Sequence, residues 1–227
     1  MQTMPMSRKV EWGVPALLIA LSLVPALFGS ARLAELAGHA PITDANARFH
    51  ANPLPVVLHI LAVVPYSLLG ALQFAPAFRR KHRQWHRNAG RVLVPLGLMA
   101  ALSGLWMTLV YPWPAGDGVG VYVERLVVGS GMTLSILLGI AAIRRRDFNA
   151  HGVWMVRAYA LGLGAGTQVL THLPWFLLVG APGEAARTVL MGSAWAINIA
   201  VAEWVIRGPM ASHLRGAAPH PLRARAV

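Results

Sequence analysis

The sequence predicts an all-α fold, a polytopic integral membrane protein with six transmembrane helices. Of its 227 residues, 56% are hydrophobic and only 12% are charged, and the mean hydropathy is +0.53. Ordinary soluble domains carry about 25% charged residues, so this chain is too apolar to be one. Six apolar runs are each long enough to cross a hydrocarbon core of about 30 Å at about 1.5 Å per helical residue.

Short polar loops that hold most of the charges separate the six runs. The only charged residues inside the runs are Arg157, in the first turns of the fifth, and Glu203, near the end of the sixth. The loop at 31–53 is the longest, and a short interfacial helix is expected over Ala31–Gly38. The predicted spans are Trp12–Ser30, Leu54–Phe78, Val92–Tyr111, Leu126–Ile143, Val153–Val179 and Thr188–Ile206.

The first run also has features of a signal peptide. The basic residues Arg8 and Lys9 precede it, and the small residues Gly29, Ser30 and Ala31 end or follow it. Its apolar stretch is longer than the usual hydrophobic region of about 7–15 residues in a signal peptide, which favours an uncleaved helix.

The distribution of basic residues predicts that both termini are cytoplasmic, because cytoplasmic loops of membrane proteins carry an excess of Lys and Arg. With that orientation in a bacterial inner membrane, only Arg32, Arg48, Arg125 and Arg187 of the 20 basic residues lie outside. We expect 1–207 to form one transmembrane domain and 208–227 to be a basic, disordered tail. The net charge of +12 sits in short clusters between apolar runs, which argues against nucleic-acid binding.

Histidine is the most informative residue type in this chain. The absence of cysteine excludes disulfides, thiolate metal sites and iron–sulfur clusters. Four histidines fall into two predicted layers. His59 and His172 lie in the outer parts of the second and fifth spans, and His86 and His151 lie just before the third and fifth. Ionisable residues inside a membrane are costly to bury and mark functional sites.

These layers suggest a haem b protein that transfers electrons across or along the membrane, between a quinone and a redox partner. Neutral imidazole is a strong axial ligand for haem iron, and haem propionates need cations at the interface. The candidate ligands are His59, His86, His151 and His172, and the candidate cations are Arg87, Arg91 and Arg157. Small residues in the fourth and fifth spans leave room for a flat ring, although such residues also form close-packed helix contacts.

Other functions stay open at this point. The histidines and arginines also suit a non-catalytic protein that binds anionic lipid or a small ligand, or a structural subunit. A proton-coupled carrier is disfavoured because the spans lack mid-membrane carboxylates. A zinc hydrolase is disfavoured because it would need three clustered ligands. A nucleotide-binding protein is disfavoured because the nucleotide-binding fingerprint is missing. Whether the protein is an enzyme is left open.

Three motifs identify a family resemblance. They are GALQF over Gly70–Phe74 before an arginine-rich loop, His86-Arg87 followed by Gly90-Arg91, and His151 followed by Trp154-Met155 and Arg157. With the embedded Leu58-His59 pair, they resemble the bacterial membrane proteins of family DUF2306 over about residues 48–178. The resemblance implies a helical membrane core but no assigned biochemistry. The architecture is also similar to di-haem cytochromes of the b561 group, but the fourth span here lacks a histidine.

Overall fold

The computed structural model describes residues 8–38 and 40–210 of the chain, and within them the regular structure is helical. The predicted tail therefore lies almost entirely outside the described residues. In order, the helices are α1 (Arg8–Ala37), α2 (Ala47–Ala51), α3 (Pro53–Ala71), α4 (Pro76–Lys81), α5 (Arg83–Val110), α6 (Val119–Arg144), α7 (Phe148–Gly162), α8 (Gly164–Leu178) and α9 (Glu184–Val205). A 3₁₀ turn (Leu72–Phe74) follows α3, and a π-helical turn (Ile206–Met210) ends the described chain.

Five helical segments of the described chain are long and apolar enough to cross a membrane. They are Trp12–Ala37, Pro53–Phe74, Arg83–Val110, Val119–Arg144 and Glu184–Gly208. These segments correspond to five of the six predicted spans. The third predicted span extends one residue beyond its segment, and the second extends four residues beyond. Its helix stops at Ala71 and the 3₁₀ turn at Phe74, because Ala75 precedes a proline and adopts an extended conformation (φ −93°, ψ 98°).

The predicted fifth span, Val153–Val179, is divided into two helices. Each of α7 and α8 has 15 residues, about 22 Å of helix, which alone is shorter than the hydrocarbon core. The break falls at Leu163, whose ψ is 0°, and Gly166 N–H bonds to the Leu163 carbonyl three residues back. The predicted separate helix at Ala31–Gly38 is also wrong, because α1 continues without interruption to Ala37.

Aromatic rings packed against glycines hold the centre of the bundle together. The Tyr66 ring lies against Gly97, where an added Cβ would be 2.7 Å away, and the Tyr159 ring lies against Gly70 at 2.6 Å. The Tyr159 hydroxyl donates to the Ser67 carbonyl at 2.6 Å, so its polar end is satisfied inside the core. These contacts bring α3 together with α5 and α7 and fix their register.

The two charged residues predicted inside spans form a pair. Arg157 on α7 donates to Glu203 on α9 through Nε (2.6 Å) and Nη2 (3.2 Å), and its guanidinium lies 4.7 Å from the Trp154 ring centre. A bidentate pair of this kind satisfies both charges in a position where either one alone would be costly. Arg207, whose side chain is 80% exposed, adds a longer contact of 3.4 Å to Glu203.

We therefore expect Arg157→Gln to lower the thermal unfolding temperature in detergent. The pair is about three quarters buried, so its loss costs about 1–3 kcal/mol, between the values for exposed and fully buried pairs. Arg207→Gln is the matched control, since it removes an exposed contact to the same carboxylate. Equal unfolding temperatures for the two variants would contradict the assignment.

Candidate functional site

A large cavity lies between α1, α3, α5, α6, α8 and α9. Its volume is about 480 Å³, within the range of roughly 300–1,000 Å³ that is common for ligand pockets. Glycine and alanine form much of its wall, and the cavity exists because these residues place little side chain between the helices. We call it the outer cavity, because it lies on the side of the bundle that the charge distribution predicts to be external.

His59 is the imidazole that lines the outer cavity. Its Nδ1 lies 2.9 Å from the Ala100 carbonyl oxygen and 3.2 Å from Ser103 Oγ, and that hydroxyl itself donates to the Met99 carbonyl. A carbonyl oxygen only accepts, so Nδ1 carries the proton. Nε2 of the neutral ring therefore keeps its lone pair, and it forms no hydrogen bond with any described residue.

The position of His59 follows from the packing of α3 against α5. Gly104 lies beside the ring, and a Cβ there would be 3.4 Å from His59 Cε1. Ser103 and Ala100 present their polar atoms one turn away on the same helix. The Ala100 carbonyl and the Ser103 hydroxyl thus fix both the tautomer and the orientation of the ring, as backbone carbonyls commonly do for histidines that bind a metal.

Two arginines line the mouth of the outer cavity. Arg48 and Arg125 line it together with Tyr111 and Trp113. Asp117, whose side chain is 2% exposed, binds both Arg125 and Arg187 and holds them in place. Arginine remains protonated in proteins, so Arg48 and Arg125 bring two positive charges to the lining of the cavity, beside the carboxylate of Asp117.

Arg48 has no carboxylate partner among the described residues. Its guanidinium lies 4.6 Å from the Phe49 ring centre, a cation–π contact. Burial lowers the pKa of Arg48 below its usual value; Asp117 raises it, and Arg125, Arg32 and Arg187 lower it again. A partly buried cation among other cations favours an anionic ligand.

A second polar side chain, Gln168 on α8, lines the cavity. Its Nε2 is buried and has no partner among the described residues. His172, one turn further along α8, does not line the cavity. Its Nδ1 lies 2.9 Å from the Gln168 carbonyl oxygen of its own helix. The structure therefore brings His59, but not His172, to the cavity wall.

His86 and His151 lie together at the opposite end of the bundle, which we call the arginine-rich end (residues 75–91 and 144–152). They are close enough to interact electrostatically. His151 Nδ1 lies 2.9 Å from the Gly139 carbonyl oxygen, so its Nε2 also keeps a lone pair, whereas His86 Nδ1 is buried without a described partner. Within the described chain, no three His, Asp or Glu side chains cluster to hold a metal ion.

None of the three predicted propionate partners lines the outer cavity. Arg157 is paired with Glu203, Arg91 donates to Asn88 at 3.4 Å, and Arg87 is exposed. The cations at the cavity mouth are instead Arg48 and Arg125, which the sequence analysis placed outside the membrane and gave no role. Gln168 and Gln73 were also missed, although an uncharged polar residue inside an apolar run is a signal that can be read from sequence.

The helices and the outer cavity define an integral membrane protein with a ligand-sized interior site. The family model of a predicted membrane protein, DUF2306, matches residues 56–206. That match covers more than half of the chain, and the protein belongs to this family. The resemblance drawn from the motifs is thus confirmed, although the match begins later and extends further, through α9. No curated protein and no solved structure matches the chain.

Proposed function

We propose that the protein binds haem b in the outer cavity and carries electrons within the membrane. The observation that carries the proposal is His59, which lines a 480 Å³ cavity and whose Nδ1 is held by the Ala100 carbonyl, so that Nε2 is the ring nitrogen available to a ligand. An imidazole in that tautomer is the usual axial ligand of haem iron. Bound haem would supply one-electron chemistry, and the chain would supply its position and surroundings.

The shape and charge of the cavity support the proposal. Small residues on several helices, among them Gly104, Gly129 and Gly162, leave space for a flat ring. Haem b is an amphipathic anion, with an apolar macrocycle and two propionates. Arg48 and Arg125 at the mouth suit the propionates, and the apolar wall below them suits the ring.

The membrane arrangement belongs to the same proposal. We infer that α7 and α8 together form a sixth span, because their combined length crosses the hydrocarbon core even though each alone does not. With both termini in the cytoplasm of a bacterium, the arginine-rich end faces inward and the outer cavity faces outward, as the positive-inside rule requires. Residues 1–207 then form one transmembrane domain.

Counting haem per polypeptide tests the proposal. Protein purified from cells supplied with a haem precursor is extracted with alkaline pyridine, and the haem is measured against protein concentration. We expect about one haem per chain for the outer cavity alone. Protein with no extractable haem would contradict it.

Arg48 provides a prediction about affinity. Arg48→Gln should weaken the binding of added haemin about tenfold or more, because it removes a charge-assisted contact worth about 1.5–3 kcal/mol. Arg32→Gln is the matched control. Arg32 lies over the same Phe49 ring, 4.8 Å from its centre, but pairs with Glu35 instead of lining the cavity. Equal haemin affinity in the two variants would show that Arg48 does not contribute to the binding site.

Arg48 also favours a second candidate function, the binding of an amphipathic anion that contains no metal, such as a lipid or a small ligand. The positive mouth and apolar wall suit such a molecule equally well, but it would leave His59 Nε2 without a ligand. Mass spectrometry of the purified protein separates the two candidates. A retained organic anion in colourless protein indicates the second.

His86 and His151 stay a prediction as a second ligand pair, whereas the haem proposed for the outer cavity has no contact with His172, which was also predicted as a ligand but does not line that cavity. The lone pair on His151 Nε2 supports the former. Two haems per chain, reduced to one in His151→Leu, is the result expected from a second pair. The redox partner, a quinone or a protein, remains part of the proposal without an assigned site.

A further inference from the structure

Unpartnered polar atoms lie at the arginine-rich end of the bundle, far from the outer cavity. Both amide atoms of Gln73 (Nε2 and Oε1) and Nδ1 of His86 are buried and hydrogen-bond to no described residue. Buried polar groups are nearly always paired with protein, with water or with a ligand. A side chain whose donor and acceptor are both unpaired indicates a missing partner that both accepts and donates.

The packing register of α3 against α5 predicts that these side chains lie at a similar level of the bundle. Helix α3 runs antiparallel to α5, with His59 beside Gly104 and Tyr66 beside Gly97. Gln73 follows Tyr66 by two turns, so it lies level with the part of α5 two turns before Gly97, close to Gly90. His86 is one turn beyond, and a Cβ at Gly90 would have open space around it.

The charge of this end selects an anionic partner. Arg79 and Lys81 lie in the last turn of α4, which begins two residues after the 3₁₀ turn that carries Gln73. Arg79 is close enough to His86 to interact with it electrostatically. Asp147 is the only acidic residue in segments 75–91 and 144–152, and its carboxylate already caps α7 by accepting from Ala150 N–H.

We propose that this end binds the headgroup of phosphatidylglycerol. The phosphate oxygens accept from the Gln73 amide and from His86 Nδ1, and Arg79 balances the charge. The glycerol hydroxyls of the headgroup donate to Gln73 Oε1, which the quaternary ammonium of phosphatidylcholine cannot do because it has no N–H or O–H group. The acyl chains lie along the apolar surface of α5, where Val92 is 55% exposed. The charge distribution predicts that this end faces the inner leaflet, where polybasic segments bind anionic lipid.

The test uses the full chain in nanodiscs made from equal parts of phosphatidylglycerol and phosphatidylcholine, followed by release into detergent and native mass spectrometry. We expect wild-type protein to retain phosphatidylglycerol in preference to phosphatidylcholine, and Gln73→Met to lose at least tenfold of that preference. Gln84→Met is the matched control, because Gln84 is an exposed glutamine at the same end of the bundle, and its amide donates to Asn88 at 3.0 Å.

A second pair of variants keeps the test decisive if Gln73→Met does not fold. His86→Asn should reduce retention, while His82→Asn, at an exposed position that stacks on Phe78, should not. Equal retention of the two lipids by wild-type protein overturns the proposal. So does displacement of the lipid by millimolar inorganic phosphate, which would indicate a site for free phosphate. Loss of pigment in His86→Asn with unchanged lipid retention would assign His86 to haem instead.

Discussion

His59→Leu is expected to abolish the Soret absorbance of the purified protein. The substitution removes the Nε2 lone pair at the cavity wall and replaces it with an apolar side chain of similar size. The substitution leaves neither former partner of His59 unpaired, because Ser103 Oγ and the Ala100 carbonyl retain hydrogen bonds within α5. The protein should therefore fold, and pigment loss can be measured directly as the ratio of Soret to protein absorbance.

His172→Leu is the matched control for His59. His172 is a histidine of the same half of the bundle, but its Nδ1 is engaged by its own helix and it does not line the cavity. Its replacement should leave the Soret ratio unchanged. Pigment that survives in His59→Leu and disappears in His172→Leu would reverse the assignment.

Gly166→Ala has the second large expected effect, on folding. A Cβ at Gly166 would lie 2.3 Å from the backbone oxygen of Leu21 and 2.8 Å from its Cγ. A backbone oxygen cannot rotate away as a side chain can, so α1 and α8 must separate. Overpacking of this kind costs typically about 1–3 kcal/mol, and sometimes more. The measurement is the thermal unfolding temperature in detergent.

Gly13→Ala is the control for that variant. Gly13 lies in α1, and an added Cβ there meets no atom within 4 Å. Alanine is also the better helix former, by about 1 kcal/mol at an exposed position, so this variant should be unchanged or slightly more stable. A Gly166→Ala protein as stable as Gly13→Ala would show that α1 and α8 are not in close backbone contact.

Hydropathy and charge predicted the helical membrane fold because both are properties of whole segments. Five predicted spans match long helices because a run of twenty apolar residues has few alternatives in lipid. The break at Leu163 was not predictable in this way. It depends on a local departure from helical hydrogen bonding beside Gly162, Gly164 and Gly166, and hydropathy averages over such a departure.

The candidate site was predictable only in part, because it depends on which side chains share a cavity. His59 was identified from its burial in an apolar run, and the structure places it at the outer cavity. Arg48 and Arg125 were assigned to external loops as ordinary charges, since nothing in their spacing shows that α2 and the first turns of α6 both meet the cavity mouth. Arg157 was offered as a ligand-binding cation, but its pairing with Glu203 joins residues 46 positions apart.

The account depends most on haem in the outer cavity, and a redox difference spectrum tests it most directly. Wild-type protein is purified from cells supplied with a haem precursor, and its spectrum is recorded oxidised and after dithionite. We predict a Soret band that shifts on reduction, as expected for haem b bound by the protein. A colourless protein with no dithionite-dependent change, prepared under the same conditions, would contradict the central claim.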